Sequence, residues 1–152
     1  LLVRDPRDRH CSVLSFNEKR GFKAFGFEAS DSDADFVRNS CRELKFELAT
    51  LRQHSSQVIL IRYEDLIQSP RESLLRIYGH LGLDSSDAAL VQAMASAEAQ
   101  DARLDEHRTT EAGHSIGRWK TDLDPSIARL YVEMIGDVMA ELGYEVQAEH
   151  GP

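Results

Sequence analysis

The sequence predicts an α/β domain with short parallel β-strands flanked by several α-helices. Two segments, 1–3 and 57–63, consist mainly of Leu, Ile and Val. Such runs are typical of strands that are covered on both faces. A segment with helical signals follows each of them, and this alternation is typical of a parallel sheet. The chain has 152 residues, which is about the length of one domain, so we predict a single domain over 1–152.

The first strand is followed by a turn whose residues suit an anion. Asp5-Pro6 ends the strand, and Pro6 favours a helical first turn, so we predict a helix over 7–16. Arg4 then lies at the carboxyl end of a strand, where open α/β sheets bind ligands, and Ser12 lies on the next helix. A guanidinium fork and a hydroxyl together suit a phosphate. An ordinary charged surface turn remains the alternative.

The segment 17–35 is rich in glycine, serine and aspartate and predicts a long loop. It contains Phe22, Phe25 and Phe27, which we expect to pin the loop to the core; the alternative is that they line an acceptor pocket. Ser32 or Asp33 is a candidate cap for a helix that continues to His54.

Capping residues predict three helices in the second half of the chain, over 70–81, 87–100 and 125–142, with a polar loop over 101–117. Ser69, Pro70 and Glu72 form a complete start signal, including a capping box. Gly82 and Gly143 are expected to end their helices.

The charge distribution restricts the possible partners. The net charge of −8 argues against a surface for nucleic acid or for anionic membranes, because either would need a basic face. Within 1–23, six Lys or Arg residues outnumber three Asp or Glu residues, so an anion site is expected near the start of the chain. The two cysteines favour a reducing compartment rather than a disulfide framework or a metal cluster. With no signal peptide or run of transmembrane length in the sequence, we expect a cytoplasmic protein.

Three segments together resemble the sulfotransferases that use 3′-phosphoadenosine 5′-phosphosulfate (PAPS). Residues 4–8 with Ser12 are similar to the family's 3′-phosphate-binding segment. The strand that ends in Tyr63-Glu64-Asp65 is similar to the strand whose tyrosine lies against the adenine, and 113–120 resembles the Gly-x-Trp-Lys loop that closes over the nucleotide. The resemblance implies a partial P-loop-NTPase-like fold and binding of PAPS, or of adenosine 3′,5′-bisphosphate, without a metal. The residues implied to bind the nucleotide are Arg4, Ser12, Tyr63, Ser115, Ile116 and Gly117.

The chain also departs from the family pattern. The Arg-Lys-Gly that grips the 3′-phosphate in cytosolic relatives is replaced by Ala112, Gly113 and His114, so Ser115 and backbone amides are expected to serve instead. The Lys-Ser-Gly-Thr-Thr-like phosphosulfate loop and the catalytic histidine have no counterpart. Because the chain opens in mid-strand without a methionine, we expect both to lie upstream of Leu1, and we expect this chain to be inactive alone. The other histidines are predicted to be solvated or at a boundary: His10, His54, His80, His107 and His150.

The resemblance implies transfer of a sulfuryl group from PAPS to a hydroxyl or amine of a small-molecule, glycan or peptide acceptor. The dimerisation motif of some relatives is not matched after Lys120, so the oligomeric state stays open. Two other functions compete with this one. A P-loop small-molecule kinase would bind a triphosphate with Mg²⁺, and a non-enzymatic helical domain would use its acidic helices to bind a partner.

Overall fold

The computed structural model describes residues 1–101, 111 and 113–146. It is mainly helical and contains one two-stranded parallel sheet, which confirms the mixed α/β class; the P-loop-like arrangement stays a prediction. The strands are β1 (Leu2–Val3) and β2 (Ile61–Arg62). The helices are α1 (Pro6–Arg20), α2 (Asp33–Gln53), α3 (Tyr63–Gln68), α4 (Pro70–Leu81), α5 (Asp87–Asp101), α6 (Trp119–Asp122) and α7 (Pro125–Glu141), with 3₁₀ turns at Phe27–Ala29 and Gly113–Ser115.

The sheet places the ends of its two strands side by side. Leu2 pairs with Ile61 and Val3 with Arg62. The predicted strand over 57–63 is too long at both ends. The N–H groups of Gln57 and Val58 donate to the carbonyl of His54 in the turn that ends α2, and Tyr63 is already the first residue of α3.

Helix α1 begins as predicted and extends further than predicted. The Asp5 side chain accepts a hydrogen bond from the N–H of Arg7 at 2.9 Å, and Pro6 occupies the first helical position. The helix ends only at Arg20, where Gly21 adopts a left-handed conformation with φ of 73°. Residues 17–20, predicted as loop, are therefore helical, and the connection to α2 is shorter than expected.

Helices α2 and α7 pack together and carry most of the core. Ser32 caps α2 by accepting from the N–H of Asp35. In the connection before it, Phe27 is buried against Phe36 with 5.0 Å between the ring centroids, as predicted. Phe22 and Phe25 are 58% and 59% exposed, so their predicted role in pinning the loop to the core is wrong.

Among the remaining helices, α3 and α6 are absent from the prediction, and α4 differs from it in one capping interaction. Ser69 precedes α4, but its side chain makes no capping hydrogen bond, so the predicted capping box is wrong. Gly82 ends α4 with φ of 66°, as predicted, and Asp124 caps α7. Most of the predicted loop over 101–117 lies outside the described residues. In the part of the chain that is described, no helix is long and apolar enough to cross a membrane.

Candidate functional site

Arg4 is the centre of a side-chain cluster at the end of the sheet. Its Nη1 donates to the hydroxyl of Ser12 at 2.8 Å, and its Nη2 donates to the carbonyl of Ser115 at 2.6 Å. The guanidinium carbon lies 4.6 Å from the centre of the Tyr63 ring. Residues that are separated by up to 111 positions therefore meet at one point.

The local structure explains why these side chains converge. Arg4 and Tyr63 each follow the last residue of a strand, and the parallel register puts both at the carboxyl edge of the sheet. Helix α1 starts just behind Arg4 and carries Ser12 in its second turn. The result is a guanidinium bounded by a strand end, a helix and a loop.

The donors of Arg4 are not all used. Its Nε is buried and has no hydrogen-bond partner among the described residues. A buried polar atom without a partner is uncommon in proteins and often marks the place of a water or ion. Because Nε and one Nη of a guanidinium form a fork that matches two oxygens of a phosphate, Arg4 has the geometry of an anion-binding group.

The loop over 113–119 completes the cluster. Ser115 is 3% exposed, and its hydroxyl lies 3.0 Å from the Tyr63 hydroxyl. Ile116 follows in the same loop and is half-buried. Gly117 has φ of 75°, a left-handed conformation that favours glycine. Its N–H donates to Asp8, so this amide is already engaged and is not directed at Arg4.

Asp8 is a functional candidate that the sequence does not single out. Its two carboxylate oxygens accept from the N–H groups of Gly117 at 2.6 Å and Trp119 at 2.9 Å, and the residue is 1% exposed. Burial raises the pKa of Asp8 above its usual value, although the two backbone hydrogen bonds act in the opposite direction. An acidic residue in a first helical turn normally indicates only a favourable interaction with the helix dipole, which is why no sequence pattern indicates this contact.

Trp119 anchors the loop to the body of the protein. It is 3% exposed, and the Arg7 guanidinium carbon lies 3.6 Å from its ring centre. Arg7 is fully buried and pairs with the Asp5 carboxylate at 2.7 Å. Asp5 in turn donates its N–H to the buried Glu64. This ionic network fixes the start of α1 against both α3 and the loop.

A cleft of about 330 Å³ opens beside the cluster, within the size range of small-molecule sites. Its lining includes Arg4, Tyr63 and Arg9 together with the apolar residues Leu2 and Leu44. Among the described residues, no group of His, Cys, Asp or Glu side chains is arranged to hold a metal ion.

The structure corrects the predicted environment of one histidine. His10 is fully buried, with ring centroids 4.7 Å from Phe36 and 6.0 Å from both Phe27 and Tyr131, so its predicted solvated or boundary position is wrong. His54, His80 and His114 are exposed. His107 and His150 lie outside the described residues.

Comparison with known proteins identifies a family. The model of the family described as "Sulfotransferase domain" matches residues 1–143. The chain is 26% identical over 105 residues to the nodulation protein NoeE of Sinorhizobium fredii (strain NBRC 101917 / NGR234). This match covers 65% of the chain but spans 24% of the length of that protein. No solved structure matches the chain significantly.

Proposed function

Because the chain belongs to the sulfotransferase domain family, we propose that it holds the 3′-phosphate and adenine end of PAPS in an enzyme that transfers a sulfuryl group to an acceptor hydroxyl or amine. The observation that carries this proposal is the convergence of Arg4, Ser12, Tyr63 and Ser115, with the buried Nε of Arg4 left without a partner in the described chain.

Each residue has a definite part in this proposal. Arg4 supplies a paired set of charged donors to the 3′-phosphate, and the Ser12 hydroxyl supplies a third donor. Tyr63 offers its ring and hydroxyl to the adenine end. Ser115 and Ile116 form the part of the loop next to Arg4 and Tyr63. Gly117 provides the left-handed backbone conformation at which the loop turns.

We expect the nucleotide to replace one of the hydrogen bonds that Arg4 makes in the structure. In the structure, Arg4 Nη2 donates to the Ser115 carbonyl at 2.6 Å. A phosphate oxygen carries more negative charge than a carbonyl and is a stronger acceptor, so we expect the nucleotide to take over this donor. A small displacement of Ser115 relative to Arg4 is then part of binding.

The chemical step needs groups that we do not assign to this chain. In-line transfer requires a base for the acceptor and donors for the charge that develops on the leaving phosphate oxygen. We propose that a phosphosulfate loop and a base upstream of Leu1 supply them, and that the chain alone is inactive. We further propose a small-molecule, glycan or peptide acceptor, and a cytoplasmic location.

Calorimetry with the full-length protein tests the nucleotide assignment. We expect saturable binding of adenosine 3′,5′-bisphosphate without Mg²⁺ and no comparable binding of ATP with Mg²⁺. Tighter binding of ATP with Mg²⁺ would favour a kinase, and binding of neither nucleotide would favour a non-enzymatic domain.

Variants locate the site. Arg4→Ala is expected to weaken the binding of the bisphosphate at least about ten-fold, and Ser12→Ala about five-fold. Arg38→Ala is the matched control, since Arg38 is exposed on α2 and pairs with Asp35. If Arg4→Ala and Ser12→Ala both bind like the wild type and the Arg38→Ala control, the nucleotide does not lie at Arg4.

A further inference from the structure

Asp8 connects the helix of the candidate site to the loop that covers it. It lies in the first turn of α1, between Arg4 and Ser12 in the sequence, and its side chain is buried. One carboxylate oxygen accepts from the N–H of Gly117 and the other from the N–H of Trp119. Two contacts to backbone groups two positions apart fix both the place and the orientation of the loop.

We propose that Asp8 is a positioning residue for the nucleotide site: its carboxylate holds the loop over 113–119 in place, so that Ser115 faces Arg4. This inference rests on the proposed function, because it assigns Asp8 a part in binding the same nucleotide.

Two contacts of Ser115 are made by residues that the ligand would engage, whereas Arg118 in the same loop donates to the Ser15 hydroxyl on α1 at 2.9 Å. Arg4 donates to the Ser115 carbonyl, and the Tyr63 hydroxyl lies 3.0 Å from the Ser115 hydroxyl. A bound phosphate competes for Arg4, and a bound adenine contacts Tyr63. Asp8 accepts from the N–H groups of Gly117 and Trp119 and not from Ser115, so its two bonds need not break when those contacts are exchanged.

Asp8 is itself held rigidly. Asp5 caps α1 and pairs with Arg7, and the Arg7 guanidinium lies over the Trp119 ring. The helix that carries the phosphate donor Ser12 therefore also carries the loop anchor. Sites whose groups are supported by one rigid element hold their geometry more closely than sites built on free loops.

The substitution Asp8→Asn tests the inference with little change in shape. The amide nitrogen is a donor that faces a backbone N–H, so at most one of the two hydrogen bonds survives. We expect about ten-fold weaker binding of adenosine 3′,5′-bisphosphate. We also expect faster cleavage by trypsin after Arg118 in the native protein, because cleavage there requires the loop to open.

Asp87→Asn is the control, because it removes the same charge from an exposed carboxylate on α5 that pairs with Arg71, away from the 113–119 loop. Its affinity for the bisphosphate should stay within about two-fold of the wild type. If Asp8→Asn also binds like the wild type, the positioning role is refuted.

Hydrogen exchange in the wild-type protein provides a test that does not depend on the folding of a variant. The amides of Gly117 and Trp119 should exchange slowly, like the interior amides of α1. Rapid exchange at both would overturn the inference. If the wild type fails to bind the bisphosphate, the proposed function fails, whereas slow exchange would still show that Asp8 holds the loop.

Discussion

Acidification should destabilise the protein through His10. The ring is buried among aromatic side chains, and this burial lowers its pKa from the usual 6.5 to about 4, although Asp33 acts in the opposite direction. Between these two pH values the unfolded chain binds a proton that the folded protein does not bind, so the free energy of unfolding falls as the pH falls through this interval. Above pH 6.5, the contribution of His10 to the free energy of unfolding does not change with pH.

The expected loss of stability follows from the width of this pH interval. A proton bound only by the unfolded chain lowers the free energy of unfolding by about 1.4 kcal/mol for each pH unit. Acidification from pH 6.5 to about pH 4 therefore lowers the free energy of unfolding by about 3 kcal/mol. Of the groups facing His10, Asp33 on α2 lies 3.9 Å from its Nε2 and Tyr131 on α7 lies 3.4 Å from its Nδ1. Neither contact is close enough to stabilise a buried imidazolium fully.

Urea unfolding of the wild type and of His10→Gln, measured from about pH 4 to about pH 7.5, tests this reasoning. On acidification, the free energy of unfolding of the wild type should fall by about 3 kcal/mol relative to that of His10→Gln. His54→Gln is the control, since His54 is exposed, and it should retain the pH profile of the wild type. If the free energies of unfolding of the wild type and His10→Gln change with pH in parallel, the explanation through His10 is refuted.

Two further substitutions probe the surroundings of the site. Tyr63→Phe keeps the ring beside Arg4 and removes the hydroxyl that lies near Ser115, so calorimetry should show about five-fold weaker binding of adenosine 3′,5′-bisphosphate; an unchanged affinity would exclude a role for this hydroxyl. Glu64→Ala leaves the N–H of Asp5 and the hydroxyl of Tyr144 without their acceptor, so denaturant unfolding should show a loss of about 2–4 kcal/mol. Glu64→Gln should recover most of that loss, and equal losses in both variants would contradict this explanation.

The strand and helix signals are sufficient to predict that Arg4, Ser12 and Tyr63 lie at one edge of the sheet, whereas Ser115 is expected there only from the family resemblance. Arg4 and Tyr63 follow apolar strand segments, and parallel strands bring their carboxyl ends to the same edge. Ser12 follows from the helix start at Asp5-Pro6. The structure places these residues and Ser115 in contact, while their role in binding a nucleotide stays a prediction.

The features that escaped prediction depend on contacts between distant parts of the chain. His10 follows a charged residue and has no apolar signal of its own; it is buried only because Phe27, Phe36 and Tyr131 pack around it. The role of Asp8 depends in the same way on a loop that lies 109 positions away. Local patterns do not indicate such partners.

The most direct test of the proposed site is its selectivity for a 3′-phosphate. Calorimetry on the full-length protein should compare adenosine 3′,5′-bisphosphate with adenosine 5′-monophosphate, which lacks that group. We predict that the wild type and Arg38→Ala prefer the bisphosphate by about ten-fold or more, and that Arg4→Ala loses most of this preference. An equal preference in the wild type and in Arg4→Ala would contradict the claim that Arg4 binds the 3′-phosphate.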